Sequence, residues 1–253
     1  MAFLEGSPPR VIAHRGLAQG HAENTLGAFG AAISAGADIL ETDVHLSKDG
    51  QVIIAHDPDL ERVAARSGLV SDFTAAQLRA MDLGHGEGFS TLGEALHSFP
   101  GHRFNIDVKT PAAITALARA IDDAEAHLRV LVTSFDENTR SRALALLPGV
   151  ASSATSRHVI EGRLRSWVGL PVQRWKLPQE VVVLQIPPTY SGLPLVTPSM
   201  ISACHRRGLE LHVWTINDPH DMTRLFDMGV DGIVTDRADL AVEIRAMRLG
   251  KKA

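Results

Sequence analysis

Two histidines, an arginine and three carboxylates fall early in this chain, in His14-Arg15-Gly16, Glu41-Thr42-Asp43 and His56-Asp57. Such groups are costly to bury unless they pair, bind metal or do chemistry. Each piece closes an apolar run that reads as a buried strand: Val11-Ile12-Ala13, Ile39-Leu40 and Val52-Ile53-Ile54-Ala55. Polar groups at strand ends are where α/β proteins build active sites. An unperturbed imidazole titrates near neutrality, so of His14 and His56 one can serve as base and the other as acid. Arg15 offers the planar fork that suits phosphate. Either histidine alone would be an ordinary structural residue; the combination is what points to catalysis.

The spacing gives these residues a geometry. Strand side chains alternate faces, so Glu41 and Asp43 point the same way. The turn Lys48-Asp49-Gly50-Gln51 follows, and Asp-Gly between apolar alternations is a hairpin signal. A two-residue loop at Asp49-Gly50 pairs Lys48 with Gln51 and sets Asp43 opposite His56. Directly opposed residues have Cβ atoms roughly 4.5–5.5 Å apart. A later strand repeats the pattern: Asn105, Asp107 and Lys109 alternate with Phe104, Ile106 and Val108. Asp107 then joins Glu41 and Asp43 as a third acid. Three oxygen ligands without a cysteine suit one hard divalent cation, Mg²⁺ or Ca²⁺. The competing reading pairs the same acids with Arg15 and Lys109 as salt bridges. In either case Arg15 and Lys109 suit an anionic substrate, and with a cation they would stabilise charge developing on a phosphoryl group.

Apolar strand-like runs alternate with amphipathic helix-like runs along the whole chain. The strands are expected at 11–16, 39–46, 104–109, 130–135, 151–156, 181–187, 209–217 and 232–236. Helices are expected at 24–36, 91–99, 111–126, 137–147, 157–167, 198–207, 219–228 and 238–248. Eight strand–helix units in about 250 residues match a (β/α)₈ TIM barrel. A doubly wound sheet would also alternate, but no Gly-rich dinucleotide fingerprint follows the first strand. Residues 58–90 break the rhythm and are too long for a plain loop. They read as a small lobe, inserted after the second barrel strand and lying over the catalytic face, with a short helix at Thr74–Met81. The expected organisation is one barrel domain over 1–253 with this lobe at about 58–90.

Composition sets outer bounds. The chain has 253 residues, 45% hydrophobic and 21% charged, enough material for a sizeable core. A net charge of -4 and a pI near 6.3 argue against a general nucleic-acid binder. The one cysteine, Cys204, excludes an intrachain disulfide and reads as a small buried residue rather than a nucleophile. Met1–Arg10 lacks the pattern of a signal peptide, and no run reaches the ~18 apolar residues of a membrane span. The expectation is a cytoplasmic protein without an integral membrane segment. Nothing in the sequence speaks to its oligomeric state.

Taken together, the motifs resemble the glycerophosphodiester phosphodiesterase family. The resemblance rests on His14-Arg15-Gly16, Glu23-Asn24-Thr25, Glu41-Thr42-Asp43, Lys48-Asp49-Gly50 and His56-Asp57. It continues through Asn105-Ile106-Asp107-Val108-Lys109, Ser134-Phe135-Asp136 and Val213-Trp214-Thr215-Ile216-Asn217. It spans nearly the whole chain in the right order. It implies a barrel with an insertion and metal-dependent cleavage of a small glycerophosphodiester into an alcohol and sn-glycerol 3-phosphate. Carried over, His14 and His56 are the acid–base pair. Glu41, Asp43 and Asp107 hold one divalent cation, and Arg15 and Lys109 bind the phosphate. In the family's usual account the substrate's own glycerol hydroxyl attacks phosphorus, and the cyclic phosphate is then hydrolysed. One departure is Asp107, where the family usually has a glutamate.

Other residues carry weaker expectations. Trp214 either lines the site mouth and packs on substrate or belongs to the core. Glu23 either accepts a bond from Arg15 or caps the helix after it, and Asn217 is expected to orient the loop of Trp214. Ser134 and Gln185 end central strands and are candidates to face the pocket. Two alternatives to the leading function stand beside it. A lysophospholipase D acting on single-chain lipids would need an apolar groove near the insertion, for which Leu69, Val70, Phe73 and Phe89 are candidates. A non-catalytic phosphodiester-binding barrel would keep the fold without turnover.

Overall fold

The computed structural model describes residues 2–168 and 174–250. Its strands are β1 (Arg10–His14), β2 (Ile39–Leu46), β3 (Val52–Ile54), β4 (Arg103–Val108), β5 (Val130–Thr133), β6 (Ser152–Ser153), β7 (Val181–Ile186), β8 (Thr189–Tyr190), β9 (Leu193–Pro194), β10 (Glu210–Val213) and β11 (Gly232–Thr235). The helices are α1 (Leu26–Ala35), α2 (Glu61–Ala64), α3 (Ala75–Arg79), α4 (Leu92–Ser98), α5 (Ile114–Asp123), α6 (Glu137–Leu146), α7 (Ser156–Trp167), α8 (Pro198–Arg206), α9 (Pro219–Met228) and α10 (Ala238–Gly250).

Eight strands run parallel in the order β5-β4-β2-β1-β11-β10-β7-β6. The two ends meet through one parallel bridge, Leu131 to Ala151, where the Val132 N–H donates to the Ala151 carbonyl at 2.9 Å. The result is the expected (β/α)₈ barrel, nearly closed. Alternation in β4 shows how the sequence builds it. Phe104, Ile106 and Val108 are buried against the helix layer, while Asn105 and Asp107 face the barrel mouth. On α5, Ile114, Leu117, Ala118 and Ile121 recur at helical spacing and form its buried stripe. Thr25 caps α1 by accepting the Ala28 N–H, and Gly36 ends it at φ +92°, a conformation that favours glycine. Phe29 of α1 meets Phe104 edge-on at 5.7 Å between centroids. Each such buried side chain contributes about 1.5–3 kcal/mol through area removed from water. A second, smaller cluster fills the barrel itself: Phe3, Ile12, Ile39, Leu131, Ala151, Val183 and Val234.

The hairpin register differs from expectation. Val44 pairs with Ile54, His45 with Ile53 and Leu46 with Val52. The Ser47 N–H donates to the Gln51 carbonyl at 2.9 Å, which leaves Lys48-Asp49-Gly50 as a three-residue loop. Gly50 takes φ +79°, the left-handed position of such loops. Ser47 also bonds Asp49 at 2.6 Å and accepts the Gln51 N–H at 2.9 Å, fixing the longer turn. The slip of one residue puts Ala55, not His56, against Asp43, with the Ala55 N–H on the Asp43 carbonyl at 3.0 Å. His56 follows one residue past the ladder.

Residues 58–90 contain α2 and α3 and gather an apolar cluster of Leu60, Val70, Leu78, Met81 and Phe89 on Ile53 and Ala55. Val70 and Phe89 are buried in it, and Phe73 packs on it. Leu69, the fourth candidate for a groove, is exposed. Glu87 ties the segment to the barrel by accepting from the Ala22 N–H at 2.7 Å and Thr25 Oγ1 at 3.0 Å and pairing with His21 Nδ1 at 2.8 Å. Cys204 is buried in α8, and burial together with Asp231 pushes its thiol up to about 12. Among the described residues, no helix is long and apolar enough to cross a membrane.

Candidate active site

Strand register aligns the polar groups in tiers at the carboxyl ends of the strands. His14 is level with Glu41 and Glu41 with Asn105; one step further out, Asp43 is level with Asp107 and Asp107 with Thr133. They floor a cavity of about 510 Å³. All eight residues singled out in the sequence line it: His14, Arg15, Glu41, Asp43, His56, Asp107, Lys109 and Trp214.

Each histidine is oriented through Nδ1 by a carboxylate. His14 Nδ1 lies 2.6 Å from Asp236 Oδ1, and its Nε2 lies 4.0 Å from Glu41 Oε2. Asn217 clamps Asp236, donating from Nδ2 to Oδ2 at 2.6 Å and accepting the Asp236 N–H at 2.9 Å. The bond from His14, reinforced by Asn217, holds the Asp236 carboxyl below the usual range in spite of partial burial. His56 Nδ1 lies 2.7 Å from Asp57 Oδ1. Arg62, from α2, donates to Asp57 Oδ2 at 2.5 Å and to Glu23 Oε1 at 2.7 Å. The same Glu23 oxygen accepts from Arg15 Nη1 at 3.1 Å. A continuous ion-pair chain therefore joins His56, through the insertion, to Arg15.

The acids form the floor. Lys109 Nζ sits 2.8 Å from Asp43 Oδ1 and 2.7 Å from Asp107 Oδ2. Burial, then the charges of Asp43 and Asp107, raise the Glu41 carboxyl well above the ordinary range. Burial also raises Asp107, although Lys109 opposes it. Burial alone would lower the Lys109 ammonium, but Asp43 and Asp107 hold it above its usual value. The salt bridges weighed from the sequence are thus formed: Lys109 takes one oxygen of each aspartate, and Arg15 Nε lies 3.5 Å from the other Asp43 oxygen, Oδ2. Asp43 Oδ2, Asp107 Oδ1 and Asn105 Oδ1 are buried without a hydrogen-bond partner. Unsatisfied buried oxygens are rare and costly. Their type and their neighbour Glu41 fit a hard divalent cation, although among the described residues no three acidic, histidine or cysteine side chains are closed into a ligating cluster.

Several roles escaped the sequence. Asp236 ends the last barrel strand and the strand-end rule extends to it, but its partner His14 is remote in sequence. Asn217 bonds the Asp236 carboxylate, the Asp236 N–H and the Thr235 hydroxyl. Glu23 is an arginine acceptor, and the cap of α1 is Thr25. Trp214 lines the cavity, packs on the barrel-filling cluster and meets Phe135 edge-on at 6.0 Å. Ser134 and Gln185 both line the cavity. Away from the floor its wall turns apolar, through Phe135, Val159, Ile160, Leu164, Tyr190 and Leu195.

Comparison with known proteins bears on this arrangement. The model of the glycerophosphoryl diester phosphodiesterase family matches residues 14–240. The chain belongs to this family. It is 36% identical to the Mycobacterium tuberculosis protein named "Probable glycerophosphodiester phosphodiesterase 2", over 97% of this chain and 94% of that one. It is 25% identical to human lysophospholipase D GDPD1, covering 90% of this chain and 82% of the relative. An Oleispira antarctica phosphodiesterase, solved in complex with the product sn-glycerol-3-phosphate, superposes with a TM-score of 0.74 at 26% identity. That match covers 94% of this chain and 96% of the other. The family member described here is an enzyme, a glycerophosphodiester phosphodiesterase, and the cavity at the barrel mouth is its candidate active site.

Proposed function

We propose that the enzyme hydrolyses glycerophosphodiesters to an alcohol and sn-glycerol 3-phosphate with His14 and His56 as its acid–base pair. The observation that carries this reading is that two histidines in one cavity each have Nδ1 fixed by a carboxylate, Asp236 and Asp57. With Nδ1–H donated to the carboxylate, Nε2 is the nitrogen that exchanges protons: the base enters the step with a lone pair there, and the acid enters it protonated there. One imidazole takes the proton of the attacking hydroxyl, supplied by the substrate's own glycerol in the family's account, and the other protonates the departing alcohol. Water then opens the cyclic phosphate with the two roles exchanged. Arg15 and Lys109 bind the phosphoryl oxygens. Glu41, Asp43 and Asp107 would hold one divalent cation, Mg²⁺ or Ca²⁺, which when bound supplies charge stabilisation to the phosphoryl group. The same reading makes the substrate a small molecule handled in the cytoplasm.

The apolar wall supports a second reading, that single-chain lysophospholipids are also cleaved. Phe135, Ile160, Leu164 and Tyr190 offer an acyl chain an apolar wall at the cavity mouth.

The test is release of glycerol 3-phosphate across a panel of metals and substrates. Chelation abolishes release and Mg²⁺ or Ca²⁺ restores it. His14→Ala and His56→Ala each lower kcat by about 10²–10⁴-fold. Unchanged turnover in either variant refutes the acid–base assignment. Lysolipids compared with glycerophosphodiesters at equal concentration separate the two substrate classes.

A further inference from the structure

Ten large apolar side chains are strongly exposed among the described residues, and six of them belong to one rim: Phe135, Ile160, Leu164, Val168, Tyr190 and Leu193. Four of these line the mouth of the cavity. Val168 follows Ile160 and Leu164 at the same spacing, just past the end of α7. Leu193 pairs with Tyr190 across the β8–β9 hairpin, which Arg163 ties to α7 through the Pro194 carbonyl at 3.2 Å. Scattered exposed leucines need no explanation, but a contiguous set around an active-site mouth marks an interaction surface.

Charge selects the occupant. Between Ser156 and Glu180 the chain carries Arg157, Arg163, Arg165, Arg174 and Lys176 against only Glu161 and Glu180, in a protein of net charge -4. Arg165 is paired to Glu161 at 2.8 Å, and by sequence the segment carries five cations to two acids. A second copy docked face to face would set like charge on like charge. An anionic lipid surface meets both properties, since apolar side chains enter the headgroup boundary while arginines and lysines face lipid phosphates.

We infer that the α7 and β8–β9 rim is a docking face for an anionic lipid surface, seating the cavity mouth against the layer. This docking is independent of the roles given to His14 and His56. Sedimentation of the full chain with vesicles tests it, comparing phosphatidylcholine alone with phosphatidylcholine plus phosphatidylglycerol. The enzyme is expected to partition at least about 10-fold more strongly onto anionic vesicles and to be released by high salt. The double variant Val168→Asp, Leu193→Asp, whose sites lie outside the cavity lining, loses vesicle binding but keeps its turnover of glycerophosphocholine and its melting temperature. Arg157→Glu, a milder change, removes the preference for anionic vesicles. His14→Ala binds vesicles like the parent, so failed chemistry and failed docking are told apart. Absence of vesicle binding, binding indifferent to these substitutions, or a stable dimer that the double variant dissociates would overturn the inference.

Discussion

The carboxylate that fixes His14 lies 222 residues further along the chain, in a bond of 2.6 Å to Nδ1. Asp236 touches no reacting atom in the proposed reaction; it sets which ring nitrogen carries the proton. Asp236→Asn is therefore expected to lower kcat by roughly 10²-fold or more with KM little changed, because an amide can hold the ring in the wrong tautomer. Asp236→Glu, which keeps the acceptor, restores part of the rate. A purely structural role would instead lower the melting temperature and leave kcat of the folded fraction intact. At this scale the sequence was informative wherever a residue and its neighbours lay in one strand or one hairpin. Glu41 with Asp43, and Asn105 with Asp107 and Lys109, follow from alternation alone. Asp236 does not, because its meeting with His14 depends on β1 pairing with β11, a contact that no local spacing encodes.

Arg62 makes the inserted segment part of the site, through Asp57 on one side and Glu23 on the other. Burial raises both carboxyls, but their bonds to Arg62, joined by His56 at Asp57 and Arg15 at Glu23, outweigh it and hold them below their ordinary values of 3.8 and 4.5. Depressed carboxyls stabilise the fold above those values, and the contribution is lost as pH falls through the lower folded values. Arg62→Ala removes much of the depression, so acid unfolding followed by circular dichroism should begin at a higher pH than in the parent. KM should also rise, since Arg15 loses its shared anchor. An unchanged acid transition would separate the insertion from the site energetically. The slip in the β2–β3 register belongs to this scale. Asp-Gly signals a turn, but the loop length was set by Ser47, whose hydroxyl satisfies both Asp49 and the Gln51 N–H. Val70, Phe73 and Phe89 show the same dependence on context. Val70 and Phe89 are apolar because the insertion needs a core of its own, and an apolar residue in a sequence does not declare whether it faces a ligand or its neighbours.

The barrel as a whole separates chemistry at one end from stability at the other. Below the apolar filling, Arg10 donates to both oxygens of Glu210 at 2.8 Å and to the carbonyls of Leu4, Glu5 and Gly6, while His212 meets Glu210 at 2.9 Å. Burial raises the Glu210 carboxyl, but His212 and Arg10 more than reverse this. Glu210→Ala strands the buried Arg10 charge and is expected to cost about 3 kcal/mol. That corresponds to a melting temperature lower by roughly 6–12 °C, with kcat unaltered at temperatures where the variant stays folded. Loss of activity without loss of stability would place this cluster in communication with the mouth. Eight strand–helix units were legible as a barrel from alternation and length. That β6 is only two residues long, and that closure has one backbone bridge, between Leu131 and Ala151, beside side-chain bonds from Ser152 and Ser153, was not, because closure depends on how every strand tilts together.

The buried thiol of Cys204 turns this architecture into a clock. With no other cysteine in the sequence and its pKa pushed up to about 12, the sulfur is shielded both by packing and by protonation. A thiol reagent at neutral pH is expected to modify it only when α8 lifts from the barrel. The modification rate then counts openings of the fold, and a ligand that binds the folded barrel slows the count in proportion to the open molecules it removes.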